Sequence, residues 1–270
     1  MTTNQSEWKA NGELLPRRPH LSVGWMSDVG RLRENNEDAL LVLTSDLERG
    51  EETQSIGLLA VADGMGGYEH GERASEMAVR VAAEVMLRSF VAKALLGSSG
   101  GESLIELMRG AVSEAHHQVQ QNLPGAGTTL TLVLVADESI AVAHVGDSRA
   151  YLCRDGAVRQ LTRDHSLVAR LVETGQQTLE EASTDPRLNV LYRALGQADE
   201  LDVDFQFGEF PAGSRLLLCS DGLWGHVDAD VLEKVLCAAG DPNAGCAQLV
   251  DLANQAGGPD NITAILAIRE

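Results

Sequence analysis

The stretch Leu58-Leu59-Ala60-Val61-Ala62-Asp63-Gly64-Met65-Gly66-Gly67 is the part of the sequence that decides the fold prediction. Five apolar residues run directly into an acidic residue and a glycine. An apolar run of this length and composition predicts a buried strand. The stretch therefore predicts that the carboxylate of Asp63 emerges where a core strand reaches the surface.

The same pattern occurs twice more, far away along the chain. Residues 141–146 (AVAHVG) lead into Asp147, and residues 216–220 (LLLCS) lead into Asp221. Carboxylates that are gathered from distant points of a chain repel one another unless cations lie between them. Hard divalent cations such as Mg²⁺ and Mn²⁺ take oxygen ligands. The three acids therefore point to a metal site.

Taken singly, an Asp-Gly pair is first of all a turn dipeptide. Asp155-Gly156 is such a case, because it lies between two strand-like stretches, 150–153 and 158–161, and predicts a hairpin. Asp63 and Asp221 differ, since no second strand follows their glycines at hairpin distance. These two positions are better interpreted as points where the chain redirects and exposes an acid.

The apolar periodicity along the chain predicts strands in groups, with helices between the groups. Strands are predicted at 20–28, 39–43, 56–62, 128–136, 139–145, 149–154, 158–161, 201–207, 214–220 and 262–268, with a polar loop at 44–55. Helices are predicted at 72–96, 102–122, 166–173, 229–239 and 244–256. Because strands and helices do not alternate strictly, the order favours an α+β fold of mostly antiparallel sheets covered by helices.

Length and composition favour one folded domain with an acidic surface. The chain has 270 residues, of which 44% are hydrophobic, enough to bury a substantial core. Residues 1–19 are polar and are predicted to be a flexible tail, which leaves 20–270 as the domain. The net charge of −19 argues against nucleic acid as the main ligand, because binding to a phosphate backbone needs clustered Lys and Arg.

The cysteines and the apolar stretches bear on the cellular location. The four cysteines have no C-x-x-C spacing and no nearby histidine partners, which argues against zinc and fits a reducing cytoplasm. Cys153 and Cys219 lie within apolar strands and are predicted to be small core residues. No apolar stretch approaches the length of a membrane span, and residues 1–30 lack a signal-peptide core. The sequence therefore predicts a cytoplasmic protein that does not interact with membranes.

Six motifs, in this order and spacing, resemble those of the metal-dependent protein phosphatases, the PPM or PP2C family, in its bacterial form. They are Arg33-x-x-x-Glu37-Asp38, Asp63-Gly64-Met65-Gly66-Gly67, Gly127-Thr128-Thr129, Gly146-Asp147-Ser148-Arg149, Ser220-Asp221-Gly222 and Gly258-Pro259-Asp260-Asn261. The resemblance extends over about 21–268. It implies an α-β-β-α sandwich with a two-metal site between the sheets.

The resemblance also implies a ligand set for two Mn²⁺ or Mg²⁺ ions. Asp63 matches the residue that bridges both ions, and Gly64 matches a position whose backbone carbonyl binds one of them. Asp221 and Asp260 match the ligands of the other ion, and the Glu37-Asp38 pair contacts metal or its water shell. A water or hydroxide that bridges two cations is acidified and can attack phosphorus in line, so no side-chain nucleophile is needed.

Arg33 is the candidate phosphate clamp. A guanidinium fork matches two phosphoryl oxygens, and Arg33 lies close in sequence to the Glu37-Asp38 pair. The alternative is a solvated surface arginine without a role in catalysis. Asn261 is expected to orient Asp260 or to cap a turn rather than to bind metal.

One departure from many eukaryotic members of the family concerns the general acid. Those members carry histidine directly after Asp-Gly, whereas this chain has Met65, as is usual in bacterial members. Asp147, together with Asp221, matches a weaker third metal site, whose water could protonate the leaving group. His70 and His165 are the nearest histidines by motif, and each is more readily explained as an ordinary polar residue.

The resemblance implies hydrolysis of phosphoserine and phosphothreonine on proteins, with a serine/threonine kinase or its targets among the substrates. The irregular segment 162–193 occupies the position of the family's flap, a mobile cover that contacts substrate. Two alternatives remain open at this point. One is a catalytically dead module that binds phosphoproteins, although no metal-binding acid is missing. The other is an enzyme for small phosphomonoesters, since the metals would contact only the phosphoryl group of a substrate.

Overall fold

The computed structural model describes residues 20–49, 52–66, 70–91, 103–182, 185–197 and 199–270. These residues form two antiparallel sheets. The strands are β1 (Leu21–Asp28), β2 (Asp38–Arg49), β3 (Glu52–Met65), β4 (Gly127–Thr128), β5 (Leu130–Ala136), β6 (Ser139–Val145), β7 (Arg149–Arg154), β8 (Ala157–Gln160), β9 (Asp204–Glu209), β10 (Arg215–Cys219) and β11 (Ile262–Arg269). One sheet has the order β1-β11-β10-β7-β8, and the other has the order β2-β3-β5-β6-β9, with β4 paired to β3.

Helices cover the outer face of each sheet, and two shorter helices lie in the segment 162–193. They are α1 (His70–Met86), α2 (Leu104–Asn122), α3 (Leu167–Glu173), α4 (Leu179–Ala182), α5 (Asp221–Trp224), α6 (Ala229–Ala238) and α7 (Pro242–Gln255). A short π-helical segment, Leu87–Val91, extends α1. Ser103 and Glu106 form a capping box at the start of α2. No helix within the described ranges is long and apolar enough to cross a membrane.

Three hydrophobic clusters correspond to the three interfaces of an α-β-β-α sandwich. One lies between α1, α2 and the six-stranded sheet, and a second lies between α5, α6, α7 and the five-stranded sheet. The third fills the space between the two sheets, where Leu59 and Val61 of β3 meet residues such as Ile265 of β11. The predicted fold class is therefore confirmed.

The period of two along the strands explains why polar groups collect at one end of the space between the sheets. Leu59 and Val61 face that space, so Asp63 continues on the same face of β3. Leu216 and Leu218 do the same on β10, which brings Ser220 onto this face. The face that forms the apolar core thus continues into a cluster of polar side chains.

The hairpin of β2 and β3 corrects one prediction. The polar stretch 44–55 was predicted to be a loop, but the ladder continues from Asp38↔Asp63 to Arg49↔Glu52. Polarity misled the prediction because backbone hydrogen bonds hold a ladder together whatever its side chains are. Several boundaries also differ by a few residues: the helix predicted at 72–96 begins at His70, the strand predicted at 201–207 spans Asp204–Glu209, and the stretch 128–136 is split into β4 and β5.

Some predictions fall on residues that the structure does not describe. They are the tail at 1–19, the end of the first helix beyond residue 91, and the loop at 97–101. The Asp155-Gly156 hairpin, by contrast, is confirmed, since β7 pairs with β8 on either side of it.

The cysteines require a second correction. Cys153 and Cys219 are both buried in the core, as predicted, but Cys153 is also joined to Cys237 in a disulfide that was not predicted. The bond links β7 to α6, which packs over that strand within the second hydrophobic cluster. A separation of 84 residues gave no sequence signal for this pairing. Because disulfides are typical of oxidising compartments, this bond weakens the sequence argument for a reducing one.

Candidate active site

Asp38 and Asp63 stand at the centre of the polar cluster. They are direct partners in the β2–β3 ladder, so their side chains lie on the same face of the sheet. Ser220 at the end of β10 donates its hydroxyl to Asp38 Oδ2 at 2.7 Å, and this hydrogen bond connects the two sheets. Like charges on directly opposed residues are unfavourable, which indicates that this pair is retained for a reason other than stability.

Asp221 joins this pair from the other sheet. It is the first residue of α5, and its carboxyl group is buried close enough to that of Asp63 for the two charges to interact. Asp63 is also fixed through its backbone, since its N–H donates to Thr129 Oγ1 at 2.8 Å and its carbonyl accepts from Thr128 Oγ1 at 2.9 Å.

Two carboxylate oxygens in the cluster are buried without a hydrogen-bond partner, Asp38 Oδ1 and Asp221 Oδ1. A buried charged oxygen without a partner is costly. Among the described residues, no three Asp, Glu, His or Cys side chains are arranged as a finished cage for an ion. The unpartnered oxygens and the all-oxygen donor set nevertheless fit hard divalent cations, which would satisfy both.

The electrostatics of the cluster support the same interpretation. Burial, followed by the charges of Asp221 and Asp260, raises the pKa of Asp38 to about 7. Burial and then the charges of Asp38, Asp221 and Asp147 raise the pKa of Asp63 well above its usual value. Carboxyl groups in such surroundings hold protons unless a cation compensates their charge. The cluster therefore favours cations strongly once its protons are lost.

Asp260 and Arg33 meet at the rim of the cluster. Arg33 Nη2 donates to Asp260 Oδ2 at 2.7 Å, and half of the arginine side chain remains exposed. Asp260 also receives the N–H of Asn261 at 2.9 Å. Burial lowers the pKa of Arg33, but the hydrogen bond to Asp260 and the charges of Asp260, Glu37 and Asp63 together outweigh it, so the pKa is raised. A half-exposed guanidinium beside these acids can also reach an anion in solvent.

The side chain of Asn261 is fully occupied by the loop that carries Arg33. Its amide donates to the carbonyls of Val29 and Asn35 at 2.9 Å each, and its Oδ1 accepts the N–H of Glu37 at 2.7 Å. These three bonds fasten the loop of residues 29–37 to the residue that follows Asp260.

Glu37 and Gly64 lie where α1 approaches β3. The N–H of Gly64 donates to the carbonyl of Glu37 at 3.1 Å, and Ser75 Oγ donates to the same carbonyl at 2.6 Å. A Cβ on Gly64 would lie 2.1 Å from the carbonyl oxygen of Gly71. Only glycine permits this close approach of two backbones. Burial raises the pKa of Glu37 as well.

Asp147 is held from several sides in the turn between β6 and β7. It is only 5% exposed, and Trp224 of α5 donates its indole N–H to the Asp147 carbonyl at 2.9 Å. The next residue, Ser148, is hydrogen-bonded to Thr129 Oγ1 at 2.7 Å. Burial and then the charge of Asp221 raise the pKa of Asp147, which brings this acid into the same electrostatic cluster.

His165 lies at the start of the flap segment and is 1% exposed. Its Nδ1 accepts the N–H of Gly146 at 3.1 Å, and its backbone N–H donates to the Gly146 carbonyl at 2.7 Å. Its Nε2 faces Asp204 at 3.3 Å and Arg193. Burial lowers the pKa of His165. The histidine therefore ties the flap segment to the turn of Asp147, whereas His70 is exposed at the start of α1.

The flap segment contains the predicted short helix, α3, and a second one, α4, that was not predicted. Beneath it is a cavity of about 240 Å³ with a mostly polar lining. The lining includes Arg163, His165, Arg170, Tyr192, Arg193 and Asp204.

Sequence reasoning gave no role to several residues that hold the acids in place. They are Thr128, Thr129, Ser148, Ser220 and Trp224. Four of them are small hydroxyl residues whose partners are distant in sequence, so only their position next to the acidic motifs could have indicated their roles. Trp224 follows Asp221 by three residues, which is helical spacing, but the short helix α5 was not predicted.

Comparison with known proteins agrees with this geometry. The protein phosphatase 2C family model matches residues 33–249. The serine/threonine phosphatase stp of Listeria monocytogenes is 36% identical over 250 residues, which cover 90% of this chain and 94% of that protein. The structure of the Mycobacterium tuberculosis serine/threonine phosphatase PstP/Ppp has a TM-score of 0.76 at 34% identity, covering 93% of this chain and 99% of that one.

A further solved structure bears on the metal. The catalytic domain of the serine/threonine protein phosphatase PstP, in complex with two manganese ions, has a TM-score of 0.73 at 35% identity and covers 92% of this chain and 97% of its own. The present chain belongs to the protein phosphatase 2C family of metal-dependent serine/threonine phosphatases. It is therefore an enzyme, a phosphoric monoester hydrolase that depends on divalent metal.

Proposed function

We propose that the protein hydrolyses phosphoserine and phosphothreonine on proteins by direct attack of water, using two Mn²⁺ or Mg²⁺ ions held by the acidic cluster. The observation that carries the proposal is the pair of buried, unpartnered oxygens on Asp38 and Asp221. Activity toward phosphoserine, phosphothreonine and phosphotyrosine peptides, with and without Mn²⁺, tests it. Hydrolysis of the first two peptides only, and only with metal, is expected. Efficient hydrolysis of small phosphomonoesters alone would contradict it.

The proposed ligands are the acids whose charges interact within the cluster. Asp63 would bridge the two ions, because its carboxyl group interacts with the charge of Asp221 from one sheet and is paired with Asp38 in the other. Asp221 and Asp260 would hold one ion. The Gly64 carbonyl would hold the other, while Glu37 and Asp38 would contact metal directly or through water. Two ions held by these residues would supply an acidified water that can attack phosphorus in line.

The protein itself contributes position and charge to this reaction. Asn261 and Ser220 keep the acids oriented through bonds between distant segments. The hydrogen-bonded Thr129 and Ser148 hold Asp63 and Asp147 in register. Such preorganisation fixes the acids before the substrate arrives.

Arg33 is proposed to bind the phosphoryl group. Arg33→Ala should mainly raise KM for a phosphopeptide, because the contact is shared by the ground state and the transition state. Loss of a charge-assisted hydrogen bond costs on the order of 1.5–3 kcal/mol, which corresponds to roughly a 10- to 100-fold effect. Steady-state kinetics with the neighbouring variant Arg31→Ala as control would measure it. Unchanged KM and kcat would make Arg33 an ordinary surface charge.

Asp147 is proposed to hold a weaker third ion together with Asp221, and that ion's water would protonate the leaving serine or threonine in place of a histidine at Met65. An ion with fewer protein carboxylates binds more weakly and keeps more water. Asp147→Ala should keep two tightly bound ions but lose most phosphopeptide turnover. Hydrolysis of p-nitrophenyl phosphate should fall much less, because its leaving group needs little protonation. Equal losses on both substrates, or loss of the tight ions, would exclude this role.

The proposed partners are phosphorylated proteins, including a serine/threonine kinase or its targets, and not nucleic acid. The net charge of −19 supports the exclusion of nucleic acid. A domain at 20–270 with a flap at 162–193 remains part of the proposal, as does a cytoplasmic location. Two buried free thiols, Cys219 and Cys246, support that location, whereas the disulfide of Cys153 and Cys237 weighs against it.

A further inference from the structure

We infer that Trp224 is a positioning residue that fixes Asp147 relative to Asp221 and thereby forms the third metal site. The inference rests on the proposed function of these two acids. Trp224 ends the short helix that Asp221 begins, and its indole N–H reaches the carbonyl of Asp147 at 2.9 Å. One side chain therefore connects the two segments that carry the acids of this site.

The ring of Trp224 is itself held in place. The guanidinium carbon of Arg149 lies 3.4 Å from the centre of the ring, a stacked cation–π contact. Two nitrogens of Arg149 donate to the carboxylate of Asp164, with Nη2 at 2.6 Å from Oδ2, and Nη1 donates to the hydroxyl of Tyr151 at 3.0 Å. These hydrogen bonds fix the guanidinium group. With the guanidinium anchored on β7, the indole has little freedom to turn away from Asp147.

The backbone around Asp147 explains why this support matters. Gly146, the residue before Asp147, has φ of +110°, a conformation that other residues rarely adopt, and the turn is tied to the rest of the site by hydrogen bonds. The hydrogen bond from Trp224 links this turn directly to the helix that begins with Asp221. The third site has only two protein carboxylates, so its affinity for metal should depend strongly on the distance between them. The two main ions have more ligands, so a shift of one ligand should affect them less.

The test is a Mn²⁺ titration followed by calorimetry and by electron paramagnetic resonance of free Mn²⁺, both of which are independent of activity. Trp224→Phe keeps an aromatic ring for Arg149 but removes the N–H donor. It should weaken the weakest class of Mn²⁺ site by roughly 3- to 10-fold, the size of one hydrogen bond. The tight pair should be unchanged. The control is Trp25→Phe, at an exposed tryptophan on β1 that should affect neither class.

A double-mutant cycle with Asp147→Ala separates positioning from a general structural effect. If Trp224 acts through Asp147, Trp224→Phe should change Mn²⁺ binding no further in that background. Should Trp224→Phe fail to fold, Arg149→Lys, which keeps the charge but loses the fork on Asp164, serves for the same comparison. An unchanged weak site in Trp224→Phe, or loss of the tight pair, would overturn the inference. A wild-type protein with only two Mn²⁺ sites would instead overturn the proposed third ion.

Discussion

Asp63→Asn is expected to abolish phosphatase activity while leaving the fold intact. Because Asp63 is proposed to bridge both ions, its loss should remove several kcal/mol of stabilisation from the transition state. This corresponds to a decrease of roughly a thousandfold or more in kcat/KM. Steady-state kinetics and circular dichroism measure the two effects. The matched control is Asp155→Asn, an exposed acid in the β7–β8 turn that should keep full activity. A substantially active Asp63→Asn variant would show that the bridging ligand is elsewhere.

The same variant should raise the melting temperature of the metal-free protein. The pKa of Asp63 is raised in the folded state, so the folded protein binds protons more tightly than the unfolded chain. Stability without metal therefore falls as pH rises from about 4 towards the pKa of about 7 of Asp38. Removing one repelling charge should stabilise the protein at pH 8 by about 1 kcal/mol, roughly 2–4 °C. Thermal unfolding in EDTA at pH 5 and pH 8 measures both effects.

Removal of metal should reduce phosphatase activity about as much as the substitution Asp63→Asn does. Dialysis against EDTA should reduce hydrolysis of a phosphopeptide to background, and Mn²⁺ or Mg²⁺ should restore it. The reason is the all-oxygen donor set, in which protons and cations compete for the same carboxylates. Full turnover by the metal-free protein, verified by elemental analysis, would exclude metal-assisted hydrolysis.

The sequence predicted which acids lie close together, because at these positions the apolar pattern of a strand also sets the direction of the acid that follows it. Leu59, Val61 and Asp63 follow the period of two on β3, so the apolar face of a strand predicts where its terminal acid points. Asp147 and Asp221 follow apolar runs in the same way. The order of the six motifs then identified the family, and the family supplied the layers of the sandwich.

The sequence did not predict the interactions that join segments distant along the chain. The bond from Ser220 to Asp38 and the bond from Trp224 to Asp147 depend on how the sheets are stacked, which no local period encodes. The disulfide of Cys153 and Cys237 was missed for the same reason. The long hairpin at 44–55 was missed because its ladder relies on backbone bonds, which leave no apolar pattern.

The stereochemistry at phosphorus distinguishes direct attack of water from a covalent phosphoenzyme. A phosphothreonine peptide whose phosphorothioate group is made chiral with oxygen isotopes is hydrolysed in water of a third isotope, and the configuration of the product is determined. Direct attack of water is a single in-line displacement, so we expect inversion of configuration. Retention of configuration would mean two displacements through a covalent phosphoenzyme, and would contradict a site in which water is the nucleophile.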